Sequence, residues 1–424
     1  METIVLPRTT SAVSDRTGPM PTAADTGEPG VARGTFTVEA LRTLRAVHAR
    51  EQEWLALERR CRDPYAAFQS YAWCEGWLRA YPDRDRPLVL MVRRGGRAVA
   101  LLPLGVRRTL GLRILGPLGE PHTQLSGALV DAGLEDDLGR EAMRLALAQA
   151  MVLSRADALT FGAVVAGSPL AQALAERCTR RPDPAEAVMA LDWSDVADGA
   201  SFDGALSKNR RRDVRRKRSM LAAHGPVRRT TLGPGDEGFA ALVKEGLGLK
   251  RNWLRAQGLA SLALDDRRTG DFLAGLPAVR GATRVEAERW RVGADTFAIS
   301  INLTTNGPAG PLRHCYLNAR DTRFEFASPG TLAHYGSMED AASSGCAGYT
   351  FLGHPTPFKE TWCNRRVPLQ RYTHAFTPRG RTWLACWSEG LRPLLKRVLQ
   401  GRAGRVVQTG LSLPGSLRSR RAGR

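Results

Sequence analysis

The segment of this 424-residue chain best suited to chemistry is Ser328-Pro329-Gly330-Thr331-Leu332. An apolar run that reads as extended precedes it and helical spacing follows, so it is predicted to be the turn that enters a helix. A helix start presents unpaired N–H groups and a positive dipole end, which attract anions. Gly330 lets a ligand approach the backbone, Pro329 fits the first turn, and Ser328 can cap the helix or bind a phosphate. A pyrophosphate-bearing cofactor is the natural occupant, although an ordinary capped helix has the same pattern.

Four neighbouring segments extend this motif. Upstream lie LSKNRRR at 206–212 and KRNWLRAQG at 250–258, and downstream lie GCAGYTFLG at 345–353 and PFKETW at 357–362. With these segments the chain resembles the CelD/BcsL-type acetyltransferases, named for cellulose biosynthesis, which belong to the GNAT superfamily and are akin to the FemAB aminoacyl transferases. The hallmarks of that family are an SPG turn, a strand with DFL-G, and YK--W shortly after.

The resemblance spans roughly residues 35–376 and is more specific in the second half. In the first half the pattern is carried by Trp73, Trp77, Leu102-Pro103-Leu104 and Leu115-Gly116. The fold class that it implies is α/β (α+β), with tandem GNAT-like domains whose mixed sheets are flanked by helices. Residues 35–191 would form a degenerate N-terminal copy and residues 201–376 the acyltransferase copy.

The resemblance also assigns roles around the turn. Acetyl-CoA or another acyl-CoA would be the donor, and Ser328, Pro329, Gly330, Thr331 and Leu332 would hold its pyrophosphate. Lys359 would point into the groove as a catalytic cation, where it could bind a donor phosphate or stabilise an oxyanion. Trp253 and Phe358 would line the cleft.

The sequence departs from the family where acids are expected. Thr350 replaces the aspartate of the Asp-Phe-Leu strand, and Thr356-Pro357 stands where an acid usually precedes the aromatic-Lys pair. A general base must then come from elsewhere, and Glu325, Asp321 and His354 are the candidates. His354 is nearest to the motif but also fits a solvated loop. Transfer by proximity alone and loss of activity in this copy are the alternatives.

The acceptor implied by the resemblance is a small molecule, an amine or hydroxyl on a sugar or envelope-polysaccharide precursor. The chain has no Gly-x-Ser-x-Gly elbow and no catalytic-cysteine context, so transfer without a covalent enzyme intermediate is expected, and no metal is implied. Two other functions stay open. One is a tRNA-dependent aminoacyltransferase of the FemAB type, and the other is a non-catalytic GNAT-like scaffold.

The elements predicted for the first half begin with a helical pattern from Leu41 and an aromatic helix around Trp73. A β-hairpin at 88–92 and 98–102 turns at Gly95-Gly96, and Pro103 ends its second strand or places it at an edge. A strand at 112–115, a helix at 138–153 and a strand at 158–161 follow. Residues 180–186 are predicted to be a Pro- and charge-rich connection to the second half.

The second half is predicted to begin near residue 201. Leu206, Val214 and Leu221 form a helical stripe that stops at Gly225-Pro226. The further predictions are a helix at 239–256, strands at 283–291, 296–303 and 312–318, a helix at 331–343 and a strand at 349–352.

Two segments supply most of the net charge of +20. Residues 205–218 carry eight cations and one acid, and residues 391–424 carry nine cations and no acid. The first segment reads as a solvated helix face or as a surface that attracts an acyl-CoA, a nucleotide-sugar or an anionic polymer. Nucleic acid is disfavoured because aromatic residues are not interleaved with these cations, but tRNA stays open through the FemAB relationship.

The chain ends and the cysteines carry information about the cellular location of the protein. Residues 1–34 and the basic tail 401–424 are predicted to be disordered, and residues 381–400 form an amphipathic helix that packs on its domain or contacts a membrane surface. The sequence lacks a secretory signal and an apolar run long enough to span a bilayer. Its seven scattered cysteines contain no CxxC pair, which favours the cytoplasm.

Overall fold

A single thirteen-stranded sheet runs through both halves of the chain. The computed structural model describes residues 35–193, 202–279, 281–353 and 355–386. The segments 1–34 and 401–424, predicted as disordered, lie outside the described residues, and so does most of the predicted helix 381–400. The mixed α/β fold class is confirmed, with the refinement that the two expected sheets are one.

The elements of the first half follow the predicted rhythm closely. In chain order they are β1 (Phe36–Leu41), α1 (Leu44–His48), α2 (Glu51–Arg60), α3 (Tyr71–Ala80), β2 (Asp85–Arg94), β3 (Arg97–Thr109), β4 (Leu112–Pro117), β5 (Leu129–Val130), α4 (Asp136–Ser154), β6 (Ala158–Val165), α5 (Pro169–Ala175) and β7 (Thr179–Asp192).

The second half also alternates helices with strands. Its elements are α6 (Lys208–Ala222), β8 (Val227–Leu232), α7 (Phe239–Ala256), α8 (Leu262–Asp265), α9 (Arg268–Ala274), β9 (Arg284–Val292), β10 (Asp295–Thr305), β11 (Leu312–Arg320), α10 (Pro329–Ser343), β12 (Gly348–Thr350), α11 (Pro357–Glu360), β13 (Arg365–Ala375) and α12 (Pro378–Trp383).

The strand order shows two similar units that exchange strands. The order is β1-β2-β3-β4-β6-β13-β7-β12-β11-β10-β9-β8, and β5 pairs with β3. Each half has antiparallel strands that lead to one parallel pair, β4 with β6 and β11 with β12. The late strand β13 pairs with β6 and β7 of the first half, and β7 pairs with β12 of the second. The fold is therefore a tandem of GNAT-like units, and the domain division at 191–201 stays a prediction.

Buried tryptophans on α2 and α3 fix the first half against the second. Trp54, Trp73 and Trp77 are at most 1% exposed. Their indole N–H groups donate to the Gln69 carbonyl at 3.0 Å, to Thr123 Oγ1 at 3.1 Å and to an Asp85 carboxylate oxygen at 2.8 Å. They belong to a core cluster shared with α7 and α9. Burial of such rings contributes several kcal/mol each, so Trp73 and Trp77 have a structural role.

Pro103 does not end a strand or lie at an edge, contrary to the prediction. It lies inside β3, opposite Val89 of β2. On its other side β3 pairs with β5 at residues 100–101 and with β4 from Leu104 onward. The proline, which has no N–H to donate, occupies the gap between these two partners.

Three other local predictions were also wrong. Leu41 belongs to β1, and the first helix starts after Thr43, whose side chain accepts the Ala46 N–H. Residues 180–186, predicted as a connection, lie within β7, where pairing with β13 overrides the weak strand propensity. Residues 324–327, predicted as extended, belong to the 3-10 helix Thr322–Ala327.

Candidate active site between strands β11 and β12

The cleft of the second half opens where β11 and β12 separate. The two parallel strands pair at only three positions, Leu312 with Gly348, Arg313 with Tyr349 and His314 with Thr350. The next residues of β11 form a β-bulge. Leu317 and Cys315 pair with successive residues of β10, so Tyr316 between them is an extra residue. Such a bulge bends a strand. The remainder of β11 consequently has a free edge on the side of β12.

Side chains from other elements bind the exposed edge of β11. Gln124 Nε2 donates to the Tyr316 carbonyl at 3.4 Å, and Lys250 Nζ donates to the Asn318 carbonyl at 3.2 Å. Gln124 comes from the first half and Lys250 from α7. The cleft is thus enclosed by both halves of the chain.

Helix α10 begins beside this edge. Ser328 adopts a left-handed conformation with φ of 51°, and its side chain makes no capping hydrogen bond. The N–H groups of Thr331 and Leu332 both donate to the Ser328 carbonyl, at 2.9 and 3.3 Å. Within the described part of the chain, the Gly330 N–H finds no acceptor. No acidic residue lies in the first turn, so the positive helix end is not neutralised locally.

Gly330 packs closely against the side chains of Asn318 and Arg320. A Cβ at this position would lie 3.1 Å from Asn318 Oδ1 and 3.3 Å from two atoms of Arg320. A larger side chain would displace the Arg320 side chain, whose Nε donates to Glu325 Oε1 at 2.8 Å. The space beside the turn is therefore narrow, and the approach of a ligand to the Gly330 backbone stays a prediction.

Two cations share the ring of Trp253 next to the start of α10. Arg320 lies 4.5 Å and Lys250 Nζ 4.7 Å from its ring centre. Burial, together with the nearby charges of Arg320 and Lys359, lowers the pKa of the Lys250 ammonium to about 8. Desolvated like charges at one location repel each other. An anion bound here would relieve that repulsion.

Lys359 lies at the other end of the cleft. Its ammonium donates to the Leu352 carbonyl, and burial lowers its pKa. A Cβ on Gly353 would lie 3.4 Å from Lys359 Nζ. Lys359 is thus close to the turn that ends β12, and its role in the groove stays a prediction. Phe358 is 39% exposed and contacts the ring of Phe351 at 6.0 Å.

A histidine that the sequence reading missed lies between these cations. His334 Nδ1 and the Tyr349 hydroxyl are 2.9 Å apart, and the imidazole contacts Phe351 and Phe358. Burial, together with the charges of Lys250, Lys359 and Arg320, lowers the pKa of His334 to about 3. The imidazole is therefore neutral at pH 7. Among the described residues no partner is found for its Nε2.

The carboxylates proposed as bases form ion pairs. Glu325 pairs with Arg320 on the surface. Asp321 accepts the Arg323 N–H and pairs with the Arg323 side chain. His354 lies outside the described residues. Their catalytic roles stay predictions, and the geometry gives none of them the enclosed position of His334.

Sequence reasoning also missed Lys250, Arg320 and Tyr349 as site residues. Lys250 stands in the quoted 250–258 segment, but its partner Asn318 is 68 positions away. His334 and Tyr349 lie on opposite sides of the turn that follows α10. The available signal was helical spacing, which places His334 one turn after Gly330.

The comparisons with known proteins concern the second half of the chain and the overall fold. Residues 208–360 match the family model described as the acetyltransferase (GNAT) domain. The chain contains a GNAT acetyltransferase domain. The matched range starts with α6 and ends with α11, so it includes Lys250, the start of α10, His334 and Lys359. The prediction that the chain is an acyltransferase is confirmed.

Solved structures agree on the fold. FemX aligns with a TM-score of 0.54 and 13% identity, over 79% of this chain and 98% of FemX. L-PGS from Bacillus licheniformis aligns at 0.46 and 8%, over 78% of this chain and 94% of that one. A tandem GNAT protein from the clavulanic acid biosynthesis pathway aligns at 0.43 and 17%, over 81% and 99%. The FemX likeness establishes a shared fold, and the other two are too distant to support an argument.

No curated protein matches the chain in sequence. Across the described ranges, no helix combines the length and the apolar character that crossing a bilayer requires.

Proposed function

We propose that the GNAT domain transfers an acyl group from acyl-CoA to an amine or hydroxyl in the cleft between β11 and β12. The observation that carries this proposal is the convergence of Lys250, Arg320 and the N-terminus of α10 on one place. These groups lie around Trp253 and Gly330. A diphosphate is the group that such a cationic helix start binds best, and coenzyme A carries one.

The free edge of β11 supports the same donor. An extended ligand with amide groups can pair with an exposed strand edge through backbone hydrogen bonds. The pantetheine arm of coenzyme A is such a ligand. Residues 315–320 continue beyond the last pair with β12. A ligand paired with this edge would replace the hydrogen bonds that Gln124 and Lys250 donate to the Tyr316 and Asn318 carbonyls.

In the proposed reaction, the acceptor nitrogen or oxygen attacks the thioester carbonyl carbon. A C–N or C–O bond forms and the C–S bond breaks. We assign His334 Nε2 as the group that takes the acceptor proton and returns it to the departing thiolate. For this role Nδ1–H donates to the Tyr349 oxygen, and the Tyr349 hydroxyl donates to Cys315, with which it shares a hydrogen bond.

Binding of the donor is expected to raise the pKa of His334, because the phosphates of the donor would neutralise cations that lower this pKa. Part of the lowering comes from Lys250, Lys359 and Arg320, and we expect Lys250 and Arg320 to contact the donor phosphates. Bound phosphates neutralise these charges and raise the pKa of His334 toward its ordinary value. His334 is therefore expected to be a stronger base when the donor is bound, although burial, the largest cause of its lowered pKa, remains.

The acceptor class follows from the sequence resemblance. Similarity to CelD/BcsL-type acetyltransferases supports a sugar or an envelope-polysaccharide precursor as acceptor. The Arg-rich helix α6 gives a second candidate, a FemAB-type transfer from aminoacyl-tRNA. Its residues Lys208, Arg212 and Arg215 are exposed, which suits a phosphate backbone.

Thermal unfolding of the full chain separates these candidates. We expect acetyl-CoA at 100 times its Kd to stabilise the protein by about 2.7 kcal/mol, while bulk tRNA gives no salt-resistant shift. Stabilisation by tRNA without any effect of CoA thioesters would favour the second candidate. No response to any CoA thioester at millimolar concentration would refute the CoA proposal.

A further inference from the structure

A second cavity lies in the first half of the sheet and has a volume of about 560 Å³. Thr160 and Gly162 of β6 and Arg371 and Thr373 of β13 line it. On β13, Arg371 and Thr373 alternate with Tyr372, whose side chain belongs to the core under α4 and α5. The cavity therefore covers the opposite face of the sheet. Its size is within the usual range of small-molecule sites.

The cavity is lined by more positive than negative charge. Arg84, Arg107 and Arg371 contribute three guanidinium groups, and Glu120 is the one acidic residue of the lining. Arg107 Nη2 lies 2.7 Å from a Glu120 carboxylate oxygen and 3.2 Å from Thr160 Oγ1. Outside the lining, an Asp266 carboxylate oxygen lies 4.0 Å from Arg84 Nη1. A phosphate monoester, which carries about −1.5 to −2 charges at pH 7, accepts hydrogen bonds from several guanidinium N–H groups at once.

This cavity does not repeat the donor site of the GNAT domain. Helix α4 stands in the first half where α10 stands in the second, and its first turn contains Asp136 and Asp137 after Glu135. Three carboxylates at a helix start repel a diphosphate instead of binding it. The cations of the first half lie on the sheet face, so they suit a different anion from the one at α10.

The cavity also extends to the candidate active site. Gln124 lines it and donates to the Tyr316 carbonyl of β11. Gly353 lines it as well, at the turn that Lys359 contacts. One ligand could therefore contact Arg107 at one end and approach the β11/β12 cleft at the other.

We propose that this cavity binds a phosphorylated acceptor, with its phosphate among Arg84, Arg107 and Arg371 and its reactive amine or hydroxyl toward Gly353. Trp383 adds a buried indole N–H, for which the part of the chain that the structure describes offers no acceptor. The proposal rests on the proposed acyl transfer and names its acceptor class. The chemistry recognised is a phosphate on a small amine or alcohol.

Calorimetric titrations with glucosamine and glucosamine 6-phosphate test the proposal on the full chain saturated with CoA. Saturation keeps the probe out of the donor site. We expect the phosphate ester to bind at least tenfold more tightly than the free amino sugar. Arg107→Gln and Arg371→Gln should each remove about a factor of ten, the usual loss for a hydrogen bond to a charged group. Melting curves verify that each variant is folded.

Arg140→Gln is the matched control. Arg140 is a surface residue of α4 paired with Asp137, and its loss is expected to leave probe binding unchanged. Equal binding of the two probes, or unchanged binding in both cavity variants, would overturn the acceptor site. If CoA itself does not bind, the donor proposal fails instead, and titration without CoA then tests the cavity by itself.

Discussion

His334 and Tyr349 connect helix α10 to strand β12 through a 2.9 Å contact between Nδ1 and the phenol oxygen. Tyr349 is fully buried, and it also shares a hydrogen bond with Cys315. Nδ1 of His334 is consequently held by Tyr349, and Nε2 is left for the acceptor substrate. A partner on one imidazole nitrogen sets the tautomer and orientation of the other.

Replacing His334 tests its assignment as proton acceptor. Loss of a general base lowers kcat by about 10² to 10⁴, so we expect His334→Gln to reduce kcat to that extent and to leave acetyl-CoA affinity unchanged. Tyr349→Phe keeps the imidazole but removes its partner, and should lower kcat by about tenfold. Steady-state release of CoA and calorimetric binding measure the two effects.

His48→Gln serves as control for these variants. His48 is half-exposed on α1 and pairs with Glu75, away from the GNAT domain. Its kcat should equal that of the unchanged protein. A His334→Gln enzyme with normal kcat would show that His334 is not the base. Glu325, Asp321 and His354 would then be the candidates.

The pKa of Lys250 predicts how donor affinity depends on pH. Burial and neighbouring cations lower it to about 8, so the free site loses this positive charge as pH rises through 8. We expect the Kd for acetyl-CoA to increase from pH 7 to pH 9. Lys250→Arg keeps its charge over this range and should flatten the dependence. Calorimetry at both pH values measures it, and a pH-independent Kd in the unchanged protein would contradict the role of Lys250.

Two histidines outside the reaction predict acid lability. Burial lowers the pKa of both His122 and His314 to about 4, while the unfolded chain protonates them near 6.5. Between these values the unfolded state binds more protons, so stability falls as pH decreases. Each histidine contributes a slope of up to about 1.4 kcal/mol per pH unit.

Urea unfolding at pH 7.5, 6 and 5 measures this slope. His122 bonds to the Tyr316 hydroxyl at 2.9 Å and to Thr269 Oγ1 at 3.0 Å. His122→Asn retains polar character and should reduce the slope by one proton, whatever its effect on absolute stability. An unchanged slope in that variant would show that His122 is already charged in the folded state.

Local patterns predicted much of the GNAT domain. The helix expected at 239–256 is α7 with the same bounds, and the helix expected at 331–343 starts two residues earlier in α10. The stripe of Leu206, Val214 and Leu221 is buried as predicted. These elements have regular apolar spacing, which is a local property of the sequence.

Long-range contacts limited the prediction of the site. Lys250 reaches Asn318, and Gln124 reaches Tyr316 across 192 positions. The exchange of β13 into the first half, and the bulge at Tyr316, depend on strand pairing that has no local signal. The turn at Gly330 could be predicted because glycine, proline and serine act locally, whereas the cationic surroundings of His334 could not.

Titration of the full chain with acetyl-CoA, compared with Gly330→Leu, tests the central claim most directly. A side chain at residue 330 would enter the space beside Asn318 and Arg320, where we place the donor diphosphate. Gly248→Ala is the matched control, because its Cβ on α7 would meet no atom within 4 Å. We predict that the unchanged protein and Gly248→Ala bind acetyl-CoA equally and that Gly330→Leu, folded by its melting curve, binds at least tenfold more weakly. Equal binding by Gly330→Leu, or no binding by the unchanged protein at millimolar acetyl-CoA, would contradict a donor site at the start of α10.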